Sequence, residues 1–237
     1  MRRIILLIVV TLLLSACALS PVTATSLPVP PTGTFTPIPV HPSETPVPMV
    51  ASSSTAAPLV PDFEYMVGIV FENKEFDRVI GNPDMPVFNQ FANDYTLLTQ
   101  HYAVTHPSLP NYIAMVGGDT FEIDRNCEDC FISAPSLPDL IEASGRTWKT
   151  YQEDMPRPCF VGSWGDYAQK HNPFMYFDPI RLDAARCERT VRPLTDLYSD
   201  LEAGTLPNFV FITPNLCNSA HDCWLGITDE WLGMQME

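Results

Sequence analysis

From residue 62 onward the chain alternates two hydrophobic patterns. YMVGIVF at 65–71 and NFVFIT at 208–213 are continuous apolar runs, as expected of strands covered on both faces. TLLTQHYAV at 96–104 and TWKTYQE at 147–153 also read as strands. Between them, MPVFNQFAND (85–94), SLPNYIAMVGG (108–118), SLPDLIEASG (136–145) and TDLYSDLEAG (195–204) carry helical spacing. Two of these begin with Ser and Pro, and three end in Gly, which are start and stop signals. The order predicts an α/β domain with a mainly parallel sheet. No internal repeat is visible.

The first sixty-one residues follow other rules. Arg2 and Arg3 precede an apolar run from Ile4 to Leu14, too short to span a bilayer comfortably, so residues 1–17 read as a secretion signal. Its ending, LSAC, resembles a bacterial lipobox in which Cys17 is lipidated. Residues 18–61 hold eleven Pro and thirteen Ser or Thr, with Glu44 the single charged side chain. Such a composition cannot bury a core. It reads as a disordered stalk that could reach about 130 Å at about 3.1 Å per residue. The domain therefore occupies 62–237, enough for one substantial core.

Charge and cysteines narrow the function. The net charge of −15 excludes a nucleic-acid binder and leaves the lipid anchor as the one attachment to a membrane. Any anionic substrate must be attracted locally. Six cysteines besides Cys17 in an exported chain imply disulfides. Spacing suggests Cys127 with Cys130 and Cys217 with Cys223, leaving Cys159 for Cys187.

In open α/β sheets, sites gather beyond the carboxyl ends of the strands. Glu72 and Asn73 end the first run and offer oxygen ligands to a hard cation; a turn in which Asn73 caps the next helix would explain them equally. THPSLPN, from Thr105 to Asn111, puts Ser108 at a strand-to-helix turn, where it is either an N-cap or a nucleophile facing a phosphate held by the helix N-terminus. His221 and Asp222 follow the last strand, His171 lies in KHNPF, and His101 and His106 flank Ser108. No Ser-His-Asp order is apparent, so a metal is the natural activator of the hydroxyl. Arg125, Lys149, Arg157 and Lys170 could bind phosphate, although each also reads as a surface charge.

FENKEFDRVIGN, HPSLPNYIAMVGG, TWKTYQEDMPRPC, KHNPFMYF and LPNFVFITPNLCNSAHDC stand in the order and at the spacing of the phosphoesterase family. The chain resembles that family, of bacterial acid phosphatases and phosphatidylcholine-type phospholipases C within the alkaline phosphatase superfamily. The resemblance implies a doubly wound α/β fold with helices on both faces of a mainly parallel sheet. It also implies hydrolysis of phosphate esters through a phosphoserine intermediate, with one divalent metal ion as cofactor and a small phosphate ester as substrate. Glu72 and Asn73 match the family's metal-binding pair, and Ser108 its nucleophile, which also contacts the metal. His221 is then a general acid or base, and His171, Asp222 and Asn111 are candidates for contacting phosphate or substrate.

The chain departs from the family in two places. Glu75 stands where many members have Ser or Thr. The family's further strand, ending in an acidic pair that completes the metal site, is expected beyond the block matching DEWLGMQME. Asp229 and Glu230 are not that pair, so 62–237 is expected to be the N-terminal portion of the domain. Alternative readings are a phospholipase C-like or sulfatase-like esterase of the same superfamily, or a truncated non-catalytic surface lipoprotein.

Cys17→Ser should release the protein from bacterial membranes, because a lipobox without its thiol cannot be acylated. Unchanged membrane association on cell fractionation would sink the lipoprotein reading.

Overall fold

The structure is a computed structural model that describes residues 62–236. The signal segment, Cys17 and the 18–61 stretch lie outside the described residues. From the amino end, β1 (Met66–Ile69) leads to α1 (Phe76–Val79), α2 (Pro86–Asp94) and α3 (Ser108–Gly117). Then come α4 (Leu137–Ala143), β2 (Trp148–Gln152), 3₁₀ turns at Gln169–His171 and Pro173–Tyr176, α5 (Asp178–Arg181) and α6 (Ala184–Thr190). The chain closes with β3 (Val191–Pro193), α7 (Thr195–Glu202), β4 (Phe209–Thr213) and α8 (Leu225–Gln235). The sheet order is β1-β4-β2-β3 and every pairing is parallel, so the fold is α/β as expected.

Alternate strand residues face opposite layers, which is why the runs are continuously apolar. Phe209 and Phe211 on β4 pack with Trp148, Tyr112, Ile113 and the run Phe174–Phe177 on one face. Val210 and Ile212 pack with Tyr151, Leu197 and Trp231 on the other. Phe174 is central to the first layer, stacked on Trp148 at 5.1 Å and edge-on to Phe211 at 5.2 Å. The buried NPFMYF run thus anchors the turn that carries His171.

The expected helices at 85–94, 108–118, 136–145 and 195–204 are present. Ser136 and Asp139 form a capping box at α4, and Gly118 ends α3 at φ 73°. The strand expected at 96–104 is absent. Its apolar residues lie in the open, with Leu98 66%, Tyr102 77% and Val104 66% exposed, so no layer covers them and the run stays irregular. β3 escaped the pattern because three residues, one of them Pro193, give no periodicity.

All three expected disulfides are formed: Cys127–Cys130, Cys159–Cys187 and Cys217–Cys223. They mark a protein that matures in an oxidising compartment outside the cytoplasm.

Asp229, almost fully buried in α8, accepts hydrogen bonds from the Val87 and Phe88 amides at 3.0 and 2.9 Å. It caps α2 from another helix and complements the dipole there. Asp229→Ala leaves two amide donors without their acceptor and should cost about 2–3 kcal/mol in urea denaturation. A loss below about 0.5 kcal/mol would show that α2 does not depend on this cap.

Candidate active site

β1 and β4 are neighbours, so the loops after them meet. Beyond β1 the Val70 amide still donates to the Ile212 carbonyl at 3.0 Å, and the Glu72 amide donates to the Ser219 carbonyl at 2.9 Å. This carries the Glu72 side chain under the β4–α8 loop, where its exposure is 11%. There its Oε1 touches His171 Nε2 and stands 3.8 Å from His221 Nε2. Burial pushes the Glu72 carboxyl up, but His171, Ser108 and His221 more than offset this, and it settles below the usual carboxylate range. Burial lowers His171 more than Glu72 raises it, so the pair is an ionised carboxylate beside a neutral imidazole.

His171 is held from several sides. Tyr112 of α3 stacks on its ring at 5.0 Å and 18°. Its carbonyl accepts from Thr213 Oγ1 at 3.2 Å, at the end of β4. Gln169, fully buried in the same turn, accepts from the Gly162 amide and donates to the Glu128 carbonyl at 2.9 Å.

His221 has a defined tautomer. Lys170 Nζ lies 3.0 Å from Nε2, and an ammonium has no lone pair, so Nε2 accepts. Nδ1 then carries the proton and donates to Asp222 Oδ1 at 2.5 Å. That hydrogen bond, with the nearby positive charge, holds the Asp222 carboxyl below its ordinary value. The Cys217–Cys223 disulfide closes the loop bearing both residues.

Ser108 is the first residue of α3. The cap position belongs to Pro107, and no side chain caps the helix, so the hydroxyl is not consumed as an N-cap. Asn73 does not cap α1 either, whose cap position is Glu75. It is exposed, in the left-handed region at φ 61°, where an amide side chain is better tolerated than most. Asn111 differs from expectation. Its amide donates to the Thr105 and Pro107 carbonyls, each at 2.8 Å. Its oxygen accepts from the Val104 and Thr105 amides at 2.9 and 3.1 Å. Asn111 is thus engaged in shaping the loop before Ser108 and has no group left for a substrate. His101 and His106 are exposed and outside the cluster.

Glu72, His171 and His221 bring one ligand atom each to within 4.8 Å of one another. Glu72 Oε1 and His171 Nε2 are in contact, yet neither makes a hydrogen bond of proper geometry. Two buried, orphaned ligand atoms aimed at one point fit a cation.

Sequence reasoning missed Glu153. Glu153, just past β2, accepts from the Asn215 amide at 2.8 Å, from Asn218 Nδ2 at 3.0 Å and from Trp231 Nε1 at 2.9 Å. It pins the loop that presents His221. Its place at a strand's carboxyl end was the available signal. Of the four cations weighed between surface charge and phosphate ligand, Lys170 is half-buried against His221.

The sequence pattern of the Phosphoesterase family matches residues 81–232. The chain is similar to a phosphate-repressible acid phosphatase of Penicillium chrysogenum, 35% identical over 199 residues that cover 77% of this chain and 47% of the relative. An acid phosphatase of Aspergillus niger is 34% identical, covering 76% and 46% respectively. A phosphatidylinositol-3-phosphatase of Mycobacterium tuberculosis is 31% identical, covering 76% and 59%. The chain spans about half the length of the curated relatives it matches.

The two lowered pKa values act on stability with one sign. At Glu72 and His171 the folded chain binds fewer protons than the unfolded one, so their contribution is complete above the ordinary imidazole value of 6.5. As pH falls it is lost, first at His171 and then at Glu72. In chelator, the melting temperature should therefore fall steadily from pH 7 to pH 4, and Glu72→Gln should flatten the acidic part of the decline. A wild-type melting temperature that stays level or rises on acidification would contradict the arrangement.

Proposed function

The chain belongs to the phosphoesterase family, and we propose that it hydrolyses phosphate monoesters by attack of the Ser108 hydroxyl. The observation that carries this reading is the meeting of Ser108, the ionised Glu72 carboxylate and the imidazoles of His171 and His221 at the carboxyl ends of β1 and β4. The relatives' names share the word phosphatase, which favours a monoester over a diester.

Ser108 Oγ attacks phosphorus in line, the bond to the alcohol oxygen breaks, and the alcohol leaves with a proton. Water then attacks the phosphoseryl group, inorganic phosphate departs and the hydroxyl is restored. The amino end of the ten-residue α3 favours the phosphate, because its dipole and free amides face an anion there. His221, held at Nδ1 by Asp222, moves protons at Nε2: it accepts one in one half-reaction and returns it in the other. His171, neutral and wedged by Tyr112, keeps the Glu72 carboxylate in place. Glu72, Asn73 and Ser108 would hold a divalent cation, with His171 as a nitrogen donor beside it. Bound there, such an ion supplies Lewis-acid activation of a hydroxyl and neutralises phosphate charge. The same proposal places the domain outside the cytoplasm, tethered by lipidated Cys17 through the 18–61 stalk.

The test uses the purified full chain with and without a divalent cation, on paired aryl phosphate and aryl sulfate. Cation-dependent hydrolysis of the phosphate alone is expected. Ser108→Ala should lower kcat by at least about 10³-fold. The fold should survive with at most a modest fall in melting temperature, since Ser108 caps nothing and is one of three groups that offset the Glu72 charge. A rate that survives this substitution would remove the hydroxyl from the chemistry, and preferred sulfate hydrolysis would overturn the substrate class.

A further inference from the structure

We propose that Lys170 is the residue that captures the phosphate oxyanion of substrate and product. The inference rests on the phosphoesterase reading above and adds a binding residue to it. Among the described residues, Lys170 is the lysine or arginine in contact with a member of the cluster, through the 3.0 Å hydrogen bond from Nζ to His221 Nε2. It is half-buried, one residue before His171, on a turn fixed by fully buried Gln169.

The other cations of the domain are differently placed. Lys149 is paired with Asp200 at 2.5 Å, Arg186 with Asp139 and Glu142, and Arg192 with Asp196. Arg157 lies over the Phe160 ring, and Arg125 is largely exposed beside Asp124. Lys170 makes no ion pair among the described residues. An ammonium has three N–H donors, and the imidazole uses one. Two donors remain for which the described residues offer no acceptor, beside the groups proposed for the chemistry. A half-buried positive charge without a direct counter-ion is costly unless an anion comes to it. The hydrogen bond to His221 aims the ammonium at the site while Nε2 is unprotonated, and frees it for the anion when Nε2 takes up a proton. Tetrahedral oxyanions with two adjacent free oxygens, such as phosphate and the phosphoryl group of a monoester, match two remaining donors.

The experiment measures inorganic phosphate binding to the full chain in magnesium by titration calorimetry. Aryl phosphate kinetics run in parallel. Lys170→Gln keeps a donor for His221 Nε2 but removes the charge, and Lys170→Arg keeps the charge. The Gln variant should weaken phosphate binding and raise KM by on the order of 10- to 100-fold, with a smaller change in kcat. The Arg variant should recover most of that loss. A Gln variant with wild-type melting temperature and phosphate affinity within about twofold of wild type overturns the inference, as does an Arg variant no better than Gln. If the wild type hydrolyses the ester and Lys170 has no effect, only this inference fails. If the wild type neither turns over nor binds phosphate, the phosphoesterase reading fails with it.

Discussion

An ionised carboxylate held almost out of water at the end of β1 is the constraint around which the site is arranged. Removing a carboxylate from water carries a penalty of several kcal/mol, so Glu72 can stay charged only where neighbours offset that cost. The neighbours come from three separate segments: Ser108 from the start of α3, His171 from a 3₁₀ turn and His221 from the β4–α8 loop. None is near Glu72 in sequence. The parallel sheet brings them together, because β1 and β4 are adjacent and share a direction. Tyr112, one helical turn beyond Ser108, stacks on His171 and couples two of the segments to each other.

Glu153 occupies the matching place at the end of β2, and the contrast between the two carboxylates separates structure from chemistry. Glu153 has donors for both oxygens: a backbone amide, a side-chain amide and an indole. Its charge is spent on holding the loop of residues 213–223. Glu72 Oε1 has no well-formed hydrogen bond, although it is buried. A satisfied buried carboxylate is a fastener. An unsatisfied one, with two imidazoles around it, has capacity left for a cation or a proton. The Cys217–Cys223 bridge then limits how far His221 can drift from that point.

Much of this was legible in the sequence, for identifiable reasons. Continuous apolar runs marked β1 and β4 because both faces of those strands are covered, and start and stop residues marked α3 and α4. Cysteine spacing was enough for the three bridges because two pairs are nearly adjacent. The run at 96–104 misled because apolar residues predict burial, and here Tyr102 and Val104 are exposed. Asn111 misled in another way. A polar residue near a candidate nucleophile looks like a ligand, while its actual partners, four backbone groups of its own loop, have no side-chain signature. Lys170 could not be singled out from Arg125, Lys149 and Arg157 because its partner, His221, is distant in sequence and reached only through the fold.

The acidity of the chain sharpens what the site must provide. The net charge of −15 is spread over a large surface, and beyond about 8 Å it is screened at physiological salt. The serious repulsion is local. A phosphate dianion about 4 Å from the Glu72 carboxylate meets about 4 kcal/mol of repulsion per unit charge at an effective dielectric of 20. Asp222, also held ionised, adds to it. The neutral His171 imidazole, a hydroxyl and a helix terminus do not balance that field. A phosphate site built on ionised Glu72 therefore needs positive charge within contact distance. The described residues supply one such charge, at Lys170, and two orphaned ligand atoms, on Glu72 and His171, suited to receive another. The carboxylate that makes the pocket hostile to an anion is the group that would recruit the cation which makes it hospitable.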